Sequence, residues 1–116
     1  MDIHLYAVRV FVSDLEEGRD FYGRILGLPE KWASSDAAGY DVGVTLIVEQ
    51  DDGEHDGLAG RFVGCSFEVN DLDRTVAEWS DKGVTFQGPP EKQPWGGRLV
   101  HFEDPSGNVL TLTADP

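Results

Sequence analysis

The pentapeptide VSDLE at residues 12–16 returns 57 residues later as VNDLD at 69–73, and two units of that length fill nearly all of the 116-residue chain. A chain made of two copies of one supersecondary unit is confined to few architectures, because both copies must bury the same face. Aligning Asp14 with Asp71 sets AVRVFVSDLEEGRDFY (7–22) against GCSFEVNDLDRTVAEW (64–79). In the first copy Val8, Val10 and Val12 alternate with Ala7, Arg9 and Phe11; in the second, Cys65, Phe67 and Val69 alternate with Gly64, Ser66 and Glu68. Alternation of this kind predicts a strand with one firmly apolar face in each unit.

Both strands run directly into a helix start. Ser13 with Glu16 matches a capping box, and Asn70 or Asp71 can cap the second helix. Leu15, Phe21, Tyr22, Ile25 and Leu26 form an apolar stripe in the first helix, as Leu72, Val76 and Trp79 do in the second, and Gly27 and Gly83 end the two helices. Strand-like sequence with turn punctuation follows each helix. GYDVGVTLIVEQ (39–50), with a strand expected at about residues 31–34, completes the first unit. GVTFQGPP, GGRLVHFE and GNVLTLT complete the second, the last two joined by the turn DPSG at 104–107. Each unit therefore reads β-α-β-β-β, and the fold class is α+β: one domain of two modules, about 1–57 and 58–116.

Composition narrows the function. Nine Lys and Arg stand against 22 Asp and Glu, a formal net charge of −13, which disfavours nucleic acid and anionic membranes as partners because both require basic surface. The same charge favours cationic ligands, or serves only to keep the surface solvated, as in the loop EQDDGEHDG at 49–57. Cys65 is the single cysteine, so an intramolecular disulfide and a cysteine-cluster metal site are both excluded, and its apolar surroundings in sequence place it in the core. MDIHLYAVRVF lacks the basic start and apolar run of a secretory signal, and no stretch has the length of a membrane span. A cytoplasmic location is expected.

The two units, V-x-D-L entering each helix, FYGRILGL (21–28) leaving the first, and DPSGN (104–108) before the last strand resemble the vicinal oxygen chelate superfamily over practically the whole chain. That group includes glyoxalase I, extradiol dioxygenases, fosfomycin-resistance enzymes and bleomycin-resistance proteins. The resemblance implies a curved mixed sheet around a cleft, with helices outside. Val8, Val10, Val12, Cys65, Phe67, Val69, Leu110 and Leu112 would then pack on the helices. Arg9, Phe11, Thr45, Ile47, Glu49, Ser66, Glu68, His101, Thr111 and Thr113 would line the cleft. Fold does not settle function.

The metal enzymes of this family would place His, His and Glu where this chain has Ala7, Gly64 and Thr111; a further glyoxalase Glu would fall near Ile47. Only the threonine hydroxyl among these could touch a metal, and it is a poor ligand alone. The expectation is a cleft without metal or other cofactor and without a catalytic residue. A displaced site drawn from His101, Glu68, Glu49 and His4, serving a metal-dependent lyase, isomerase or dioxygenase, is the alternative.

EKQPWGGR (91–98) resembles the QPWG stretch of the bleomycin-resistance proteins, which sequester their ligand unchanged. On that resemblance Trp95, with Trp32, Phe11 and Tyr40, would stack on a flat ligand. Trp95 has the alternative of lying on its own Gly-Gly turn or at a subunit contact. Glu68 would act as counter-ion to a cation, or pair with Arg9 instead. The implied protein is a homodimer that binds a planar or cationic small molecule, an antibiotic being one candidate, in two clefts at the subunit interface.

Overall fold

The strand and helix signals of the two units resolve into two sheets in the computed structural model, which describes residues 1–115. In the first unit β1 (Ala7–Val12) leads to α1 (Leu15–Arg19), followed by β2 (Glu30–Ala33), β3 (Ala37–Val42) and β4 (Val44–Gln50). The second unit repeats the order with β5 (Phe62–Glu68), α2 (Leu72–Asp81), the two-residue strands β6 (Thr85–Phe86) and β7 (Glu91–Lys92), β8 (Arg98–Glu103) and β9 (Val109–Ala114). The first sheet has the order β1-β4-β3-β2 and the second β5-β9-β8-β6, with β7 also on β8. In each sheet the strand before the helix pairs in parallel with the last strand of its unit, and every other pairing is antiparallel. This is an α+β fold of two modules, as the repeat implies. Among the described residues no helix is long and apolar enough to cross a membrane.

The alternation settles which side of each strand is buried. Val10, Val12, Leu110 and Leu112 are buried, and Val8, Cys65, Phe67 and Val69 pack against the same core while partly exposed. Gly43, at φ +104°, makes the tight reversal between β3 and β4 that splits 39–50 into two strands. The GVTFQGPP strand shrinks to two residues because Gly88 turns at φ +106° and two prolines follow, which have no N–H for the ladder.

Three local expectations are corrected. Asp14, not Ser13, caps the first helix, its carboxylate accepting from Glu17 N at 3.2 Å; Ser13 instead bonds Ser106 in the other module. Asp71 caps the second helix in the same way, accepting from Arg74 N. The first helix does not continue regularly to Leu26: Asp20–Ile25 forms a π-helical turn, with Leu26 N donating to Phe21 O across five residues. Finally, Tyr40 is no lining residue of the open face. It shares strand parity with Ala38 and Val42 and is buried against Tyr22, ring centroids 6.5 Å apart.

The modules are locked by the DPSGN turn. Asn108 is 0% exposed, and its side-chain amide donates to Phe11 O at 2.7 Å and to Asp104 Oδ2 at 2.9 Å. Its carbonyl oxygen accepts from Gly60 N and Arg61 N. Asp104 also accepts from the Tyr22 hydroxyl at 2.7 Å. Burial first, and then the negative charge of Asp104, push the Tyr22 hydroxyl pKa far upward, so it remains a donor at any working pH. Beside this network Phe11 at the β1 edge and Ala59, in the segment before β5, form an isolated parallel bridge. Asn108→Ala strands buried groups on both modules and is expected to lower the unfolding free energy by about 3 kcal/mol, with Tyr22→Phe costing about 2 kcal/mol. Urea denaturation of both variants measures these losses.

Candidate functional site

The face of each sheet turned away from the helices carries rows of side chains fixed by strand register. On the first sheet Arg9 lies opposite Ile47 and Ile47 opposite Gly39; one step along, Phe11 lies opposite Glu49. On the second sheet Ser66, Thr111 and His101 form one row, and Glu68, Thr113 and Leu99 the next. Thus Arg9, Phe11, Thr45, Ile47, Glu49, Ser66, Glu68, His101, Thr111 and Thr113 all fall on the helix-free faces, as their parity requires.

Arg9 is held in a fork by Glu49, its Nε and Nη2 donating to the two carboxylate oxygens at 3.0 and 2.9 Å. The guanidinium also sits 5.1 Å from the Phe11 ring centroid. The expected alternative partner, Glu68, is therefore not the one Arg9 takes. Glu68 meets the Asp115 carboxyl instead, and the hydrogen bond between them, followed by like-charge repulsion, raises its pKa above the ordinary carboxylate value. His101 shares a 2.8 Å hydrogen bond with the Thr111 hydroxyl through Nδ1. Burial raises the pKa of the Cys65 thiol, on the opposite, core-facing side of β5.

Two tryptophans are set on glycines. A Cβ at Gly39 would come within 2.5 Å of the Trp32 indole, and one at Gly97 within 1.8 Å of the Trp95 ring, so each ring occupies the space that a side chain would take. Trp32 stays 39% exposed and Trp95 52% exposed, each presenting much of its ring to solvent. The turn under Trp95 is closed by Gln93 N to Gly97 O at 2.8 Å, with Gly96 at φ +98°. Trp95 thus does cover its own Gly-Gly turn, and half of it remains available besides.

Two residues on this surface escaped the sequence reading. Phe62, 61% exposed, meets His101 edge-on with ring centroids 5.4 Å apart; its parity with Gly64 and Ser66 was the signal that could have found it. Lys31 donates from Nζ to the Thr45 hydroxyl at 2.9 Å. No alternation rule could have placed it, because a register shift between Glu30 and Trp32 breaks the parity of β2.

The family's metal does not fit these residues. Ala7 and Gly64 offer no donor atom, and the Thr111 hydroxyl is buried and engaged with His101. Among the described residues no three His, Cys, Asp or Glu side chains gather in a way that could hold a metal ion, so His101, Glu68, Glu49 and His4 are not brought together as a displaced set.

Residues 4–112 match the Glyoxalase/Bleomycin resistance protein/Dioxygenase superfamily. The chain belongs to that superfamily. An uncharacterized protein of Bacillus subtilis (strain 168), YraH, is 29% identical over 93% of this chain and 95% of its own length. The crystal structure of a superfamily member from Sphaerobacter thermophilus DSM 20745 is 28% identical with a TM-score of 0.81, covering 98% of each chain. The lactoylglutathione lyase of Agrobacterium tumefaciens, at 16% identity and a TM-score of 0.76 over 96% of this chain and 92% of its own, shares the fold.

The Glu68–Asp115 contact gives a titration with a defined sign. Two neighbouring carboxylates favour the protonated form, so Glu68 should titrate above the ordinary glutamate value of about 4.3, and the folded state should lose this contribution as the pH rises through the Glu68 pKa. Carbon-13 NMR titration of the Glu68 carboxyl should show the raised midpoint, and Asp115→Asn should return it to the ordinary range.

Proposed function

We propose that this superfamily member is a binding protein that sequesters a planar or cationic small molecule on its helix-free face and leaves it unchanged. The observation that carries this reading is the pair of tryptophans seated on glycines. A ring pinned on one face and open on the other is a preorganised stacking surface, and a flat ligand can meet it with little loss of side-chain freedom. Phe11 and Phe62 extend the aromatic surface. Glu49, Glu68, Ser66, His101 and Thr113 supply polar groups that would orient a ligand, and Glu68, free of Arg9, supplies the negative charge. Sequestration of an antibiotic is one use of such a surface. No chemical step is assigned to it, and the donor atoms that would draw a divalent metal into the family position are absent from Ala7 and Gly64.

Ligand identity is open to a fluorescence screen of planar aromatic cations, with intrinsic tryptophan emission as the signal. Trp95→Ala should weaken binding about fivefold, the equivalent of roughly 1 kcal/mol for a lost aromatic contact. The loss should be the same at low and high salt. Glu68→Gln should weaken binding mainly at low salt, where charges are not screened. Mass spectrometry after long incubation should return the ligand intact; product accumulating beyond one equivalent would make the protein an enzyme.

The binding face is also where a second copy of the chain would complete the site. Arg9, Ser66 and Glu68 are exposed, so the chain leaves its own helix-free face uncovered. Exposed Ile3, Leu5, Tyr6 and Phe62 add apolar surface for an interface. This exposure supports a two-fold dimer whose subunits wall each other's cleft. Light scattering at micromolar concentration should give twice the mass of one chain, and Phe62→Glu should lower that mass and weaken ligand binding together.

A further inference from the structure

The first module carries a second hollow, about 1220 Å³, on its helix side, between α1 with its π-helical turn and the strands β2 and β3. Because Tyr40 has the core-facing parity of β3 while Gly39, under Trp32, has the opposite one, this hollow and the tryptophan-bearing surface lie on opposite sides of one sheet. Its existence and its ligand are independent of the binding proposed above.

Three features set the hollow apart. The first is Tyr40 itself, which lines it. This residue is 1% exposed, and its hydroxyl is the buried side-chain polar atom without a hydrogen-bond partner among the described residues. A buried hydroxyl left unpaired destabilises a fold, and such an atom calls for an explanation. Burial, and then the charge of Glu30, hold its pKa above the ordinary tyrosine value against the opposing effect of the Arg19 guanidinium beside it, so it is a neutral hydroxyl. The second is the π-helical turn, which brings Gly23 over the ring: a Cβ at Gly23 would stand 3.5 Å from the Tyr40 hydroxyl oxygen, in ordinary contact with it.

The third feature is charge. Glu16, Glu17, Asp20 and Glu30 line the hollow with Asp14, against one cation, Arg19. Arg19 is spent on Glu30 at 2.9 Å, in a pair more than a third exposed on both sides, and Asp20 is paired with Arg24. Among the described residues Glu16 and Glu17 make no ion pair. An anion is excluded by this lining. A chelated metal is disfavoured too, since no three carboxylates converge. What remains is a cation whose charges are spread out and which brings its own donors.

We propose that this hollow binds a linear aliphatic polyamine, one terminal ammonium displacing Arg19 from Glu30 and donating to the Tyr40 hydroxyl, a second ammonium lying against Glu16 and Glu17. An ammonium has three donors and no acceptor, which matches a hydroxyl lone pair flanked by carboxylates. The Arg19–Glu30 pair is an exposed one, and surface pairs of that kind are cheaply exchanged. The methylene chain between the nitrogens would run over Leu15 and Leu28, the apolar members of the lining.

Spermidine is the probe, followed by isothermal titration calorimetry at low salt. One equivalent should bind per chain. Tyr40→Phe keeps the ring and removes only the unpaired oxygen, so the fold should melt no lower, while affinity should fall about tenfold. Gly23→Ala, which places a methyl over the hydroxyl at an ordinary contact distance, should fall by a similar factor. Attraction to the net charge alone is tested by two double variants. Glu16→Gln with Glu17→Gln should weaken binding about tenfold, whereas Glu54→Gln with Asp56→Asn, in the exposed loop, should change it less than about twofold. Absence of binding, wild-type affinity in Tyr40→Phe, or equal weakening by the two charge-removing pairs would each overturn the proposal.

Discussion

Everything in this molecule hangs on one buried polar cluster, in which Asn108, Asp104 and Tyr22 tie two modules that otherwise have separate sheets. Each sheet can satisfy its own ladder, so backbone pairing does little to fix how the modules sit together. The Asn108 amide does so because its donors and acceptor are directed: it reaches Phe11 O in one module and Gly60 N and Arg61 N in the other. A charge-assisted bond from Tyr22 to Asp104 then holds the first helix to the turn of the second module. Such a cluster stabilises only when every member is paired.

The same logic explains why the open faces look as they do. Side chains on the core side must satisfy packing, and Val10, Val12, Leu110 and Leu112 leave no freedom there. The helix-free sides are under no such constraint, which allows them to carry a forked Arg9–Glu49 pair, a His101–Thr111 bond and tryptophans lying on glycines. The Ala, Gly and Thr at the family's metal positions belong to this permissive surface. Ala7 and Gly64 carry no donor atom and the Thr111 hydroxyl is engaged with His101; none of the three holds the modules together.

Much of this was legible beforehand. The repeated pentapeptide marked a strand end and a helix start twice, and the alternation around it picked out the residues of β1 and β5 that pack on the core. The tryptophan of QPWGG was legible as a residue with two roles; it covers Gly97, the alternative to stacking on a ligand, while half of it stays in solvent. Legibility failed where parity or helical period is interrupted. Lys31 follows a register shift, the π-helical turn alters the helix period in mid-course, and the hairpin at Gly43 places Tyr40 on the core side of a strand whose start the sequence did not mark.

The sequence by itself determined the two-module α+β fold, the apolar faces of β1 and β5 and the absence of a donor atom at Ala7 and Gly64, because each of these follows from local periodicity or from the identity of single side chains. Tertiary structure alone decided the partners: Arg9 with Glu49 instead of Glu68, Glu68 with Asp115, Tyr40 against Tyr22 with its hydroxyl unpaired. The physical reason is that a partner is set by which strands become neighbours and in what register. Those contacts join residues tens of positions apart, and no pattern within either segment records the distance between them.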